Sequence, residues 1–183
     1  MSSQHELSAS IALLEHVPES IARLVAPLPD SLLRLNEGPG TWSPLEVLQH
    51  LIWGEVDDWI PRVQIILEHQ DRVAFTPFDR AGGQKRYTGW PVAKLVAEFQ
   101  RLRAANLATL RDLNLTDDEL RLPGLHPSLG PVTLSQLIAS WVAHDLTHLY
   151  QITRTLAAAY EAPVGPWREF MGIYQTERKA PVG

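Results

Sequence analysis

The 183-residue sequence contains no cysteine. Disulfide bonds, cysteine-ligated zinc or iron–sulfur sites and a cysteine nucleophile are therefore excluded. Basic blocks are also missing, and a formal net charge of −5 argues against binding along a nucleic-acid backbone. No apolar run reaches the roughly 18 residues of a membrane span, and the first residues lack the pattern of a secretory signal. We therefore expect a cytoplasmic protein with neither nucleic acid nor membrane as a partner.

The residues that are present are typical of one globular domain. Hydrophobic residues make up 45% of the sequence and charged residues 20%. A chain of this length can bury a core without covalent cross-links. We expect a single domain over residues 1–183, with the core at about 5–160 and a C-terminal extension at 161–183.

Apolar residues recur at steps of three and four, and the alternation typical of strands is scarce. The spacing predicts four long helices, at about 4–26, 44–69, 91–110 and 133–160, and a short terminal helix at 167–177. Pro18 and Pro61 are expected to bend the first two helices. Residues 70–90 and the stretch from Pro123 to Pro131 are predicted to be loops. The pattern favours an all-α four-helix bundle, whose long connections allow crossovers.

Three capping boxes mark predicted helix starts, at Ser43–Glu46, Thr116–Glu119 and Thr133–Gln136. In the first box, Pro44 is preset for the first helical turn. The box at Thr116 predicts one short helical turn between the third and fourth long helices.

Two of the seven histidines have the spacing of metal ligands. His144 and His148 lie four residues apart on the last predicted helix, so both imidazoles project from one face and can reach one ion. The same spacing also fits two half-exposed bundle histidines. Asp145, between them, falls near the centre of the apolar stripe. Because a buried carboxylate needs a partner, it either accepts a hydrogen bond from a ligand imidazole or pairs with an arginine.

A third ligand has to come from another helix, and His50 on the second predicted helix is the natural candidate. On a helical wheel, however, His50 lies away from the main apolar stripe, on an arc with Glu46, Trp53 and Asp57. That arc fits a solvated face and the wall of a polar cavity equally well. The residues alone leave the two interpretations open.

Two segments resemble the ligand-bearing helices of the DinB/YfiT-like family of metal-dependent enzymes. The first is Thr41–Leu51, TWSPLEVLQHL, and the second runs from GPVTL at Gly130 to HDLTHLYQ at Gln151. Their order and their separation by about a hundred residues also match, and the resemblance covers residues 5–160. It implies a four-helix bundle, a homodimer and one divalent ion, nickel or zinc. It assigns the ligands to three histidines, carried here onto His50, His144 and His148.

The family includes thiol-dependent S-transferases, a mycothiol-dependent isomerase and proteins described only as metal-dependent hydrolases. The resemblance therefore implies a metal-dependent hydrolase, or a thiol-dependent S-transferase with a low-molecular-weight thiol as co-substrate, acting on a small molecule. A metal-binding stress-response module without turnover is the alternative. A di-metal carboxylate bundle is disfavoured, because only Asp145-x-x-His148 approaches the pattern that such a site needs.

Further side chains are candidates for the surroundings of the metal. Trp53, Trp141 and Gln151 lie about one turn from the ligands, and Asp145 is the candidate partner of a ligand imidazole. The candidate general base is Asp57, on the same arc as His50.

Each of the remaining candidates also has a simpler interpretation. Asp57 beside Asp58 fits an ordinary surface carboxylate. The basic cluster in the loop at 70–90 fits either a binding site for the carboxylates of a small thiol or a solvated loop. The cluster consists of Arg80, Lys85 and Arg86.

Overall fold

The computed structural model describes residues 3–175 of the chain. Within this range the helices are α1 (Ser3–Val25), α2 (Asp30–Leu33), α3 (Pro44–Asp57), α4 (Trp59–His69), α5 (Gly82–Tyr87), α6 (Val92–Asp112), α7 (Asp117–Leu120) and α8 (Leu134–Ala158). Two antiparallel strands, β1 (Pro123–His126) and β2 (Gly130–Thr133), form a hairpin before α8. Short 3₁₀ turns occupy Gln70–Arg72, Gly165–Phe170 and Gly172–Tyr174.

The predicted four-helix bundle is confirmed, and its helix order is crossed. The bundle consists of α1, the pair α3 and α4, α6, and α8. Both α1 and α3 pack against α6 and α8, so α1 and α3 lie diagonally across the bundle although they follow each other in sequence. Among the described helices, none is both long and apolar enough to cross a bilayer.

The start of α3 follows from the capping box predicted at Ser43. The Ser43 hydroxyl accepts a hydrogen bond from the Glu46 backbone N–H at 3.3 Å, and the Glu46 carboxylate accepts one from the Ser43 backbone N–H at 2.8 Å. Two N–H groups that no helix carbonyl can reach are thereby satisfied. The boxes at Thr116 and Thr133 form in the same way and begin α7 and α8.

The second predicted helix is interrupted at Asp58, where the structure separates α3 from α4. The backbone of Asp58 has φ −114° and ψ −69°, which departs from ideal helical values. Pro61 falls in the first turn of α4, where its missing N–H costs nothing. The predicted bend at Pro61 is therefore a break three residues earlier. By contrast, α1 runs past Pro18 as one helix.

The predicted loop at 70–90 is wrong in part, because it contains α5. Gly82 and Gly83 allow this helix to lie directly against α3. A Cβ atom at Gly83 would stand 2.3 Å from the Gln49 carbonyl oxygen, and one at Gly82 would stand 2.4 Å from Nε1 of Trp53. The Gln49 side chain also donates a hydrogen bond to the Tyr87 carbonyl at 3.1 Å. The glycines thus serve close helix packing and not loop flexibility.

The loop predicted around Pro123 to Pro131 is a β-hairpin. Its first strand also extends to the segment after α4, since the Phe75 backbone N–H donates to the Leu125 carbonyl at 2.9 Å. Beyond α8, the predicted helix at 167–177 is replaced by the 3₁₀ turns, and its last two residues lie outside the described part of the chain.

Arg103 on α6 is a buried cation at the centre of the bundle, with 2% of its side chain exposed. Its guanidinium lies 5.1 Å from the Phe99 ring and 5.0 Å from the Trp141 ring. These two rings belong to two separate apolar clusters of the core. The charge therefore lies at the boundary between the two halves of the hydrophobic core.

Three other helices contribute partners to Arg103. The guanidinium lies 2.7 Å from Glu55 of α3, 2.7 Å from Asp145 of α8, and donates to the Leu14 carbonyl of α1 at 2.8 Å. Nε1 of Trp141 and Nδ2 of Asn106 also donate to the Glu55 carboxylate. One guanidinium therefore connects all four long helices. Burial raises the pKa of Glu55, and the charge of Arg103 opposes that rise.

We expect Arg103→Met to destabilise the protein by about 3–5 kcal/mol, because it leaves two buried carboxylates without their cation. The free energy of unfolding from urea titration measures the change. Arg101→Met on the same helix is the matched control. It removes an exposed ion pair with Glu98 and should leave the urea midpoint nearly unchanged. Equal shifts in the two variants would contradict the central role of Arg103.

Candidate metal centre

Three histidines meet between α3 and α8. Nε2 of His144 lies 3.0 Å from Nε2 of His50 and 3.1 Å from Nε2 of His148. The donor nitrogens of all three lie within 4.8 Å of one another. His50 and His148 are buried, at 4% and 6% exposure, and His144 is partly exposed. The three imidazoles thus point their Nε2 atoms at one small volume.

The orientation of His148 is fixed by Gln151, one turn later on α8. Nδ1 of His148 lies 2.9 Å from the Gln151 amide oxygen. Because that oxygen only accepts, Nδ1 carries the proton and Nε2 of the neutral ring keeps its lone pair. This is the arrangement of a metal-ligating histidine, whose other ring nitrogen is held by a hydrogen-bond acceptor.

The cluster fits a divalent cation. Two imidazole nitrogens bound to one zinc ion at about 2.0–2.1 Å stand about 2.8–3.4 Å apart when the bond angle is between 90° and tetrahedral. Both measured Nε2 separations fall in that interval. Imidazole nitrogen is a preferred ligand of zinc and of nickel. Three converging lone pairs repel one another unless a cation or protons lie between them.

The surroundings keep the two buried imidazoles, His50 and His148, neutral. Burial, with repulsion from His144, lowers the pKa of His148 to about 4. Burial, with repulsion from His148 and His144, lowers the pKa of His50 to about 2. The charge of Arg80 adds to that fall, and a hydrogen bond with the Arg80 backbone opposes it. Since neutral imidazole is the form that binds metal, the fold favours the ligand state at physiological pH.

The histidines form part of the wall of a cavity of about 730 Å³. Asp58 and Arg62 of the α3–α4 junction, Phe78 and Arg80 before α5, and the hairpin tip around His126 complete one side. Tyr150, Gln151 and Arg154 of α8 line the other. The volume is in the range of small-molecule sites.

The comparison with protein-family models matches residues 13–152 to the DinB superfamily. The chain belongs to the DinB superfamily. The sequence resemblance is thereby confirmed over most of the chain. Among curated proteins, none matches this chain significantly.

A solved structure similar to this DinB bundle is YfiT from Bacillus subtilis. The two superpose with a TM-score of 0.75 at 25% sequence identity, over 87% of this chain and 90% of the YfiT chain. YfiT is described as a probable metal-dependent hydrolase with an unusual four-helix bundle topology. The crossed helix order of the present chain agrees with that similarity.

The helical wheel of α3 does not explain why His50 is buried. In the DinB bundle, α3 is covered on nearly all sides, because α5 packs over the part of the arc that contains Trp53. The part of the arc with His50 and Trp53 is therefore not a solvated face, although Asp57 at its end is exposed. Trp53 itself packs under Gly82 and does not line the cavity.

Asp145 has the arginine partner that was one of its two predicted roles. It is fully buried, and Oδ2 lies 2.7 Å from Arg103. Its Oδ1 lies 3.6 Å from Nδ1 of His144, which is beyond an ordinary hydrogen bond. Trp141 is also behind the histidines, stacked on Trp59 with ring centroids 5.5 Å apart. Of the four predicted neighbours of the ligands, Gln151 alone lines the cavity.

The carboxylate in the cavity wall is Asp58, which the sequence analysis did not select. The predicted candidate, Asp57, is exposed and absent from the cavity wall. Asp58 is 7% exposed and forms an ion pair of 2.5 Å with Arg62. Burial raises its pKa, and the charges of Arg62 and His144 oppose that rise. Asp58 is the residue at which α3 ends and α4 begins. Pro61 is the sequence signal for that break.

Of the basic cluster Arg80, Lys85 and Arg86, only Arg80 lines the cavity. Lys85 is exposed and pairs with Asp79 at 2.9 Å. Arg86 is exposed beside the Tyr87 ring. The structure therefore separates one arginine of the cavity from two cations of the surface.

We expect the metal-free protein to lose stability as the pH falls below about 6.5. An unfolded histidine takes up a proton near that pH, whereas folded His148 takes one up only near pH 4 and His50 near pH 2. Between these pH values the unfolded chain binds more protons than the folded chain. The free energy of unfolding therefore decreases as the pH falls, by at most about 1.4 kcal/mol per pH unit for each such imidazole. Urea titrations between pH 7 and pH 5 measure the slope.

A His148→Gln variant should have a shallower slope over that interval. His16→Gln, which removes an exposed histidine on α1, should keep the slope of the parent. A parent slope unaffected by His148→Gln would show that the buried imidazole is not held neutral by the fold.

Proposed function

We propose that this chain is a metal-dependent enzyme in which His50, His144 and His148 bind one divalent ion, nickel or zinc. The convergence of three Nε2 atoms in a cavity wall supports the proposal most directly. Three protein ligands leave coordination positions for water or substrate, as in catalytic metal sites. The cavity volume of about 730 Å³ indicates a small-molecule substrate.

The bound ion would supply a Lewis acid that polarises a substrate oxygen and lowers the pKa of a coordinated water or thiol. The protein's own side chains would orient the ligand histidines and accept the proton of the attacking group. Gln151 holds the proton of His148 on Nδ1, so that Nε2 faces the cavity. Asp58 is the candidate to accept a proton from the attacking group, because its carboxylate lies in the cavity wall and burial raises its affinity for protons.

Hydrolysis is the reaction class that we favour. A buried carboxylate in the same cavity as three ligand histidines is the pair of features that activation of water requires. The structurally similar YfiT, described as a probable metal-dependent hydrolase, supports the same choice.

Thiol-dependent S-transfer is the second candidate. A cavity of about 730 Å³ has room for a low-molecular-weight thiol and an acceptor side by side. A chain without cysteine also has to obtain its thiol from another molecule. A metal-binding stress-response module without turnover remains the alternative to both reactions. The homodimer and the cytoplasmic location stay predictions.

Elemental analysis tests the ligand assignment. We expect the parent protein, exposed to nickel or zinc and then freed of excess ion, to retain about one ion per chain, since three imidazoles form a complete protein ligand set. His148→Gln should retain far less. His126→Gln is the matched control, because His126 lines the same cavity outside the three-histidine cluster. Equal retention by the parent and His148→Gln would contradict the proposed site.

The role of Asp58 can be tested by exchanging neighbouring carboxylates. We expect Asp58→Asn to lower kcat at least about 100-fold on a substrate found in a panel of small esters and amides, because the variant lacks the proton acceptor. Its metal content should equal that of the parent. Asp57→Asn removes the exposed neighbour and should keep the parent kcat.

The pH profile separates a proton acceptor from a structural ion pair. If Asp58 only positions Arg62, the residual activity of Asp58→Asn should keep the acidic limb of the parent profile. Loss of that limb is expected if Asp58 accepts the proton. Equal activities of Asp58→Asn and Asp57→Asn would exclude Asp58 as the base.

A further inference from the structure

Three arginines line the cavity, and two of them have carboxylate partners. Arg62 pairs with Asp58 at 2.5 Å. Arg154 pairs with Glu37, with separations of 2.5–3.1 Å. For Arg80, no carboxylate of residues 3–175 lies within ion-pair distance. Arg80 is thus the cation of the cavity wall whose charge the described chain leaves uncompensated.

Arg80 is held beside the histidine cluster by an aromatic side chain. Its guanidinium lies 5.4 Å from the centroid of the Trp42 ring. The same ring packs against His50, with centroids 4.7 Å apart, and stacks on His148 at 6.1 Å. The position of Arg80 relative to the proposed ion is therefore defined by packing.

Binding of a divalent ion would leave an excess of positive charge around the cavity. A dication would add two positive charges to that of Arg80. Asp58 and Glu37 are already neutralised by their arginines. Behind the histidines, Glu55 and Asp145 exceed Arg103 by one negative charge, which offsets only one of these three positive charges. An excess of positive charge in a partly enclosed cavity favours an anionic ligand.

We propose that the substrate of this site carries a carboxylate that pairs with Arg80 while its reacting group lies at the three histidines. The inference rests on the proposed function and adds the chemical class of its substrate. A guanidinium presents a planar fork of donors that matches a carboxylate in two parallel hydrogen bonds. The two coplanar oxygens of a carboxylate match this fork, so a carboxylate is the anion that we assign to Arg80.

Two thiols of similar size provide the test on zinc-loaded protein. The probes are 3-mercaptopropionate and the uncharged 3-mercapto-1-propanol, which share a sulfur ligand for zinc and differ in the carboxylate. Isothermal titration calorimetry gives the ratio of their dissociation constants. We expect the parent to prefer the acid, and we expect Arg80→Gln to reduce that preference roughly tenfold, as for a charge-assisted hydrogen bond. Arg80→Lys should retain part of it.

Arg86→Gln is the matched control, because it removes the same charge from the same segment outside the cavity wall. It should keep the preference of the parent. Zinc content and thermal unfolding of each variant show whether the site and the fold are intact. The uncharged thiol serves as an internal control, since its affinity should change little in Arg80→Gln.

An unchanged preference in Arg80→Gln would overturn the inference, because the carboxylate would then be bound by zinc or by another arginine. Equal losses in Arg80→Gln and Arg86→Gln would also overturn it, since they would indicate a general charge effect. Failure of both thiols to bind the zinc-loaded parent would argue against it as well. Failure of the parent to retain zinc is a different outcome, which refutes the proposed function itself.

Discussion

The guanidinium of Arg103 is the contact on which the arrangement of the bundle depends. A charge with 2% exposure is unfavourable by itself, and only partners from several helices at once make it acceptable. Those partners lie beside the candidate site. Glu55 follows His50 on α3, and Asp145 adjoins His144 on α8. The ion pairs therefore fix the distance between the two histidine-bearing helices, whereas apolar packing alone allows them to slide.

The parts of the fold that depend on near neighbours were predictable from sequence. Helical spacing gave the four long helices, and the capping boxes at Ser43 and Thr133 gave the starts of α3 and α8. The errors concern distant contacts. Gly82 and Gly83 were interpreted as loop residues, although they permit α5 to touch α3. The hairpin was missed as well, despite a three-residue connection followed by Gly130 with φ of +77°.

The same distinction between near neighbours and distant contacts applies to the candidate site. The pair His144 and His148 could be selected by helical spacing, whereas the place of His50 came from the family resemblance, because burial of its arc depends on α5. The wheel placed Asp57 on the arc of His50, but Asp57 is exposed at the end of α3, whereas Asp58 at the junction with α4 lines the cavity. Pro61 is a visible signal for the helix break, but it does not predict which of the two neighbouring carboxylates lines the cavity.

The crossed helix order also determines when the histidine cluster can exist during folding. His50 and His144 are 94 positions apart, and α6 and the hairpin lie between them in sequence. Closing so long a segment has a large entropic cost that only the assembled core offsets. The cluster is consequently a product of complete folding, and partly folded chains have at most the pair on α8. An ion present during refolding would not template the bundle. The ion would bind, and thereby stabilise, only molecules in which the bundle has already formed.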